Sequence, residues 1–333
     1  MLILTYCLTQ RPDEGCLKVA NSLVGRFKQA NPDTYVISYG KTSPLADCHM
    51  KLGKLFLNRQ LLKRVRQEKG SVLYIPNASC TTASALRVWV LSRFAKKLQV
   101  LFALRHPVSG IARSCLRSAK AQILCLSAES KAYYENAIGC QAVHLKTGVD
   151  TERFCPVTAT EKTALRQKYG MAENETVILH VGHLKPGRNL HKLCSLDSRY
   201  HLVLVISSNT QPDEDLRRQL LARPNTTLIE TYQSAIWELY QLADVYVFPV
   251  VEQENCIDVP LSVLEAAACG IPAVVTRYGE LKEFEGAQGF VFPDSLEPDA
   301  LHSAIEAART LPNIRSTQVE EYDWQKAVKR LGE

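Results

Sequence analysis

Short apolar runs alternate with longer amphipathic stretches along the whole chain. In the first half the runs fall at 2–8, 34–38, 72–75, 100–104, 123–126 and 143–145. Between them, apolar positions recur at helical spacing over 15–29, 51–69, 80–97, 107–118 and 128–138. Unbroken apolar runs of this kind predict strands buried on both faces, and strand–helix alternation predicts parallel sheets covered by helices. The second half keeps the rhythm, with strands expected at 177–181, 202–206, 227–229, 245–248, 273–276 and 290–292. Its helices are expected near 160–169, 189–196, 213–222, 234–241, 260–269 and 297–310. The polar stretch 147–161 separates the halves. The pattern therefore predicts an α/β protein with two Rossmann-like, doubly wound domains facing a cleft, over residues 1–150 and 157–315. Chemistry is expected where the carboxyl ends of the strands meet.

Charge changes this picture more than composition does. Residues 1–156 hold 23 Lys/Arg and 9 Asp/Glu, a balance of +14, while residues 157–333 hold 17 and 25, a balance of −8; together they give +6. The basic half calls for an anionic partner. No helix-turn-helix, zinc or RNP-like pattern accompanies the charge, which argues against nucleic acid. The apolar content of 46% is that of a soluble globular protein. No run approaches the roughly 20 residues that span a bilayer, and the opening stretch reads as a strand rather than a signal peptide. Eleven cysteines are scattered without a CxxC pair, which predicts reduced thiols in a cytosolic protein and no metal site.

Two segments carry the candidate chemistry. ADVYVFPVVEQENCIDVPLSVLEAAACGIPAVVT, residues 243–276, reads as strand, loop, helix and strand. Its helix begins near Pro260, Leu261 and Ser262, where free amides and the positive dipole end suit a phosphate. Glu265 follows within reach of a sugar hydroxyl. In VILHVGHLKPGRNL, residues 177–190, Gly182 permits close backbone approach, and His183, Lys185 and Arg188 can converge on a diphosphate. Read singly, either segment is equally a buried βαβ unit with a solvated polar loop.

Taken together, TGVDTERFCP, VILHVGHLKPGRNL, IWELYQLADVYVFP and PLSVLEAAACGIPAVVT resemble, in order and spacing, the carboxyl-terminal half of glycosyltransferase family 4. The similarity spans roughly residues 123–331 and includes EEYDWQKAVKRL, like the helix over 316–333 that returns to the first domain. The resemblance implies the GT-B fold and a retaining transferase that uses a nucleoside-diphosphate sugar as donor substrate, with no cofactor or metal. By position, Glu265 matches the glutamate that holds the donor ribose, and Gly182 the glycine of the phosphate loop. His183 and Arg188 stand where the family has arginine and lysine. Tyr232 and Gln233 fall where backbone groups meet the nucleobase. The family's earlier glutamate, used on the donor sugar, is replaced by Ile257. Asp258, Glu254 and Glu252, in that order, are the candidates to supply a carboxylate instead.

In the first half, Gly15 opens a helix where the family brings backbone close to the donor phosphate. His106, ending the run VLFALRH, resembles a histidine that touches the donor sugar, and a histidine before proline is equally a structural residue. Residues 51–70 and 85–98 read as basic amphipathic helices, suited either to a core with a solvated face or to an anionic membrane surface. These features predict a cytoplasmic glycosyltransferase, peripheral on the inner face of a membrane, acting on a glycan or lipid-linked acceptor. The alternatives are a non-catalytic nucleotide-sugar or glycan-binding protein on the same scaffold, and a sugar-isomerising or phosphorylase relative.

Overall fold

The structure is a computed structural model that describes residues 1–56, 58–77, 79–208, 211–252 and 256–332. It divides into two compact units. The first comprises Met1–Thr147, Ile257–Val259 and Trp324–Glu333; the second comprises Gly148–Cys256 and Pro260–Asp323.

The first unit is built on strands β1 (Leu2–Thr5), β2 (Tyr35–Ser38), β3 (Cys48–His49), β4 (Ser71–Ile75), β5 (Lys97–Phe102), β6 (Gln122–Cys125) and β7 (Ala142–His144). They form one sheet in the order β3-β2-β1-β4-β5-β6-β7 with every pairing parallel. Helices α1 (Gly15–Ala30), α2 (Arg59–Gln67), α3 (Thr82–Ser92), α4 (Gly110–Ser118) and α5 (Ala128–Ala132) connect them. Leu2, Leu4, Val72, Tyr74 and Val100 are buried in the core. Unbroken apolar strands with helices on both faces leave polar chemistry only at the strand ends.

The second unit contains α6 (Ala159–Lys168), β8 (Thr176–Gly182), β9 (Tyr200–Ile206), α7 (Glu214–Ala222), β10 (Thr226–Ile229), α8 (Ile236–Leu242), β11 (Val245–Phe248), α9 (Leu261–Ala268), β12 (Ala273–Val275), β13 (Phe290–Val291) and α10 (Pro298–Arg309). Its parallel sheet runs β10-β9-β8-β11-β12-β13, so the order reverses between β8 and β11. In such sheets ligands bind at that point. The last helix, α11 (Trp324–Gly332), belongs to the first unit and packs against α1.

Several elements differ from the periodicity. The helix expected over 51–69 is confined to α2, because the Asn58 side chain accepts the Gln60 and Leu61 amides and sets the start there. Just before it, Phe56 holds a φ of 59°. Rings of Tyr39 and Tyr74 pack edge-on to Phe56, and the Arg87 guanidinium lies 4.9 Å from its centre. The helix expected over 128–138 is α5 followed by a wider turn, Tyr133–Ile138, that closes on Gly139. Residues 189–196 form a 3-10 turn rather than a helix, since Asn189 enters in the left-handed region at φ 57°. The two-residue strand β3 was not expected.

One partly buried charge cluster secures the second unit. Asp244 accepts hydrogen bonds from Lys162 Nζ at 2.7 Å, Arg166 Nη2 at 2.6 Å and the Val177 amide at 2.7 Å. Arg166 is buried and also donates to the carbonyls of Leu242, Glu173 and Glu175. It thereby ties α6, the start of β8 and the end of α8 together. Removing one partner of a buried pair strands the other charge. Asp244→Ala is expected to lower stability by about 2–4 kcal/mol, measured as a fall in the urea midpoint with unchanged slope.

Candidate functional site

Strand β8, the central strand of its sheet, ends at Gly182, and the chain then turns through Pro186–Arg188. Asn189 accepts the left-handed conformation that this turn needs, and its Nδ2 donates to the Pro249 carbonyl at 3.0 Å. That bond fastens the turn to the end of β11. Gly182 lies against two nitrogen-bearing side chains: a Cβ there would be 3.0 Å from His180 Nε2 and 3.7 Å from Arg188 Nη1.

Arg188 is 6% exposed, yet among the described residues its guanidinium has no hydrogen-bond or ion-pair partner. A buried cation without a carboxylate is costly, and native proteins keep one where an anion is bound. His180 is completely buried. Its Nδ1 lies 2.9 Å from the Val247 carbonyl, which accepts, so Nδ1 carries the hydrogen. Nε2 has no partner. Burial, with the positive charges of Arg188 and His183 nearby, pushes the His180 pKa down to about 4, against the smaller upward pull of the Val247 carbonyl. His183 is half-buried beside the turn, while Lys185 is exposed.

Helix α9 starts at the other predicted point. Pro260 is its N-cap and no side chain caps it, so the first amides keep their capacity for a ligand. Tyr246 joins β11 to the end of β8. Its hydroxyl donates to the Val181 carbonyl at 3.3 Å. One turn further along α9, Glu265 is 4% exposed and its Oε2 accepts the Tyr240 hydroxyl at 2.8 Å. Burial first, then the neighbouring carboxylate, holds the Tyr240 phenol well above its ordinary pKa, so it remains a donor. The rings of Tyr240 and Tyr246 lie 5.8 Å apart, and His180 stacks on Tyr246 at 6.3 Å.

The second unit thus brings together Gly182, Arg188, Leu261, Ser262 and Glu265, with His183 at the margin. Tyr232 and Gln233 lie apart from this cluster, in the turn after edge strand β10, where Gln233 Nε2 donates to the Thr231 carbonyl and hydroxyl. Gly15, His106 and Asp258 belong to the first unit. Gly15 is the first residue of α1, and a Cβ there would meet Ile257 Cδ1 at 3.0 Å. Asp258 Oδ2 accepts hydroxyl hydrogens from Ser127, at 2.9 Å, and from Ser130. His106 is half-buried in the loop after β5, with its backbone amide at the Cys80 thiol. Glu252 is exposed, and Glu254 lies outside the described residues. Sequence reasoning missed His180, Tyr240 and Tyr246. The available signal was polar side chains inside otherwise apolar stretches.

Residues 161–322 match the family model Glycosyl transferases group 1. A GDP-mannose-dependent monoacylated alpha-(1-6)-phosphatidylinositol monomannoside mannosyltransferase of Corynebacterium glutamicum is 29% identical over 42% of this chain and 39% of its own length. A lipopolysaccharide 1,2-N-acetylglucosaminetransferase of Salmonella typhimurium is 22% identical over 64% of this chain and 61% of its own. The chain thus spans about two fifths to three fifths of these curated relatives. Anabaena HepE in complex with UDP superposes with a TM-score of 0.75 over 99% of this chain and 97% of its own, at 15% identity. The fold is the two-domain α/β fold of GT-B glycosyltransferases, and the sequence matches support a glycosyltransferase of that kind.

His180 yields a stability prediction. Its depressed pKa means that the unfolded chain binds a proton that the folded chain resists. Its stabilising contribution is complete above the ordinary value of 6.5 and is lost as pH falls toward about 4. The full loss is about 3 kcal/mol. Thermal denaturation of the unliganded protein across this range is expected to show a steeper acid decline for wild type than for His180→Asn.

Proposed function

We propose that this protein is a retaining glycosyltransferase that moves a sugar from a nucleoside-diphosphate sugar to a lipid-linked or membrane-associated glycan. The observation that carries this reading is Arg188, a buried guanidinium with no acidic partner among the described residues, placed beside Gly182 in the loop after β8. Guanidinium is suited to bidentate contact with phosphate oxygens. The uncapped start of α9 adds a positive dipole end. Negative charge develops on the departing diphosphate as the glycosidic bond breaks, and preorganised donors stabilise it there. Glu265, held by Tyr240, would accept the ribose hydroxyls. Tyr232 and Gln233 would lie against the base, and His183 would add a further donor to the phosphates.

Retention would follow if the acceptor attacks from the face that the diphosphate leaves, with no metal. The first unit would receive the acceptor. Lipid-linked acceptors are named for the Corynebacterium and Salmonella relatives, and the first-half excess of positive charge suits a phosphorylated or membrane-bound substrate. On α2, Leu61 and Val65 are buried while Arg59, Lys63 and Arg66 stay available to an anionic surface at the inner face of a membrane. Among the described residues no helix is long and apolar enough to cross a membrane. Attachment would therefore be peripheral.

One observation favours a second reading. Ile257, the residue at the position of the family's sugar-binding glutamate, is 6% exposed and packs on Gly15. A protein that binds a nucleotide sugar without transferring it would also tolerate this.

A panel of UDP-, GDP- and ADP-sugars, tested for binding and for turnover with lipid-linked acceptors, separates the two. Turnover unchanged by EDTA, with the anomeric configuration of the donor kept, is the expected outcome. Binding without turnover selects the second reading, and no binding across the panel defeats both. Arg188→Ala is expected to weaken donor affinity by about 10–100-fold, the value of a charge-assisted phosphate contact. Gly182→Ala, whose methyl would press on the His180 ring beside Arg188, is expected to cost about tenfold by the same measurement.

A further inference from the structure

The first unit holds a second cationic hollow, in the loop between β3 and α2. We propose that the cavity bounded by Lys51, Gly53, Lys54, Leu55 and Asn58 receives a phosphate ester carried by the acceptor. Lys51 and Lys54 hold its oxygens, and Leu55 covers the organic group beside it. This rests on the transferase reading and adds to it a chemical class of acceptor and the side chains that select it.

Place, charge and bracing lead there. The cavity measures about 470 Å3, the size of a small-molecule site. It follows the carboxyl end of β3, the end at which parallel sheets present their ligands. Its lining contains two cations and no acid. Between Asp47 and Glu68 the chain carries six Lys/Arg and no Asp/Glu. Both flanking carboxylates are engaged elsewhere, Asp47 with Lys28 at 2.7 Å and Glu68 with Arg64 at 3.8 Å. Lys51 and Lys54 are exposed, and among the described residues neither ammonium has an ion-pair partner. Asn58 is the N-cap of α2, so the positive dipole end of that helix lies at the same wall. A tetrahedral phosphate accepts lysine from several directions, since the ammonium acts as a point charge. Leu55, 40% exposed, gives the wall its one large apolar surface.

The loop is set in this shape before any ligand arrives. Phe56, at φ 59°, is buried between the rings of Tyr39 and Tyr74. Its amide donates to the Gly53 carbonyl at 3.2 Å. Arg87 lies over the Phe56 ring and donates through Nε to the Lys54 carbonyl at 3.0 Å. A phenylalanine in the left-handed region persists only where packing over-determines it, and such positions concentrate at ligand clamps. Here Phe56 points into the core while Lys54 and Leu55, just before it, are left at the surface. Cations on a backbone fixed in advance lose less freedom when they bind.

Direct binding to the intact protein tests this without donor or turnover. The probes are glucose 1-phosphate, glycerol 3-phosphate, and phosphatidylcholine vesicles containing phosphatidylglycerol. In amide NMR titrations the soluble esters are expected to move the Gly53, Lys54 and Leu55 signals. The double variant Lys51→Gln/Lys54→Gln is expected to weaken their binding by about 10–100-fold. Lys120→Gln, which removes an exposed charge before β6, is expected to leave it unchanged, and thermal denaturation checks that each variant folds. Binding of vesicles but not of soluble esters, lost more in the Lys51/Lys54 pair than in Lys63→Gln/Arg66→Gln, supports the cavity with a lipid headgroup as the source. Equal losses in the two pairs mark a diffuse membrane patch and overturn the proposal, as does no binding of any probe. Nucleotide-sugar binding and turnover that persist in either case leave the transferase reading standing. No nucleotide-sugar binding overturns both.

Discussion

Arg188 is buried in the second unit with no carboxylate paired to it among the described residues. Desolvating a guanidinium is expensive, and elsewhere in this unit the cost is met locally. Arg166 has Asp244 and three carbonyls, and Arg223 donates to the carbonyls of Leu196, Asp197, Pro224, Asn225 and Tyr200. Only the arginine at the carboxyl end of β8 departs from that rule among these three. Gly182 and the unpartnered Nε2 of His180 lie beside the same guanidinium.

Behind this site, a buried polar layer fixes its geometry. The Tyr246 hydroxyl donates to the Val181 carbonyl and so ties β11 to the end of β8. Tyr240 performs the same service for Glu265. Both phenols are fully buried and keep their hydrogens because burial disfavours the phenolate. The ring contacts continue from Phe154 through Tyr240 and Tyr246 to His180. Preorganisation of this kind lets donors act on developing charge without first reorienting.

The first unit makes a different use of its strand ends. Ile257, an apolar residue, covers the amino end of α1, and Gly15 is required there because a side chain would press on it. Asp258, next in the chain, gives its carboxylate to two serines at the start of α5, where the dipole also favours negative charge. The segment 257–259 is thereby held in the first unit, although the residues on either side of it in sequence belong to the second. The Phe56 backbone and the Tyr39–Phe56–Tyr74 ring cluster brace the basic loop that precedes α2.

By itself, the sequence determined the two parallel α/β units and singled out the polar loops that follow β8 and β11. Buried parallel strands must be continuously apolar, and the amide-rich ends of such elements must use glycine, proline and a few charged residues. Periodicity placed α1, α4, α7 and α10 within a few residues, since each presents one apolar stripe. It overran α2, whose start is set by an Asn58 cap, and the Leu190–Ser195 turn, whose backbone is set by Asn189. Tertiary structure alone decided that Arg188 has no acidic partner among the described residues, that His180 Nε2 is buried without a partner, that Tyr240 holds Glu265, and that Asp258 faces serines. Pattern along a chain reports which side of an element is buried. Which polar atom lacks a partner depends on residues brought together from distant positions, and only the folded packing supplies that.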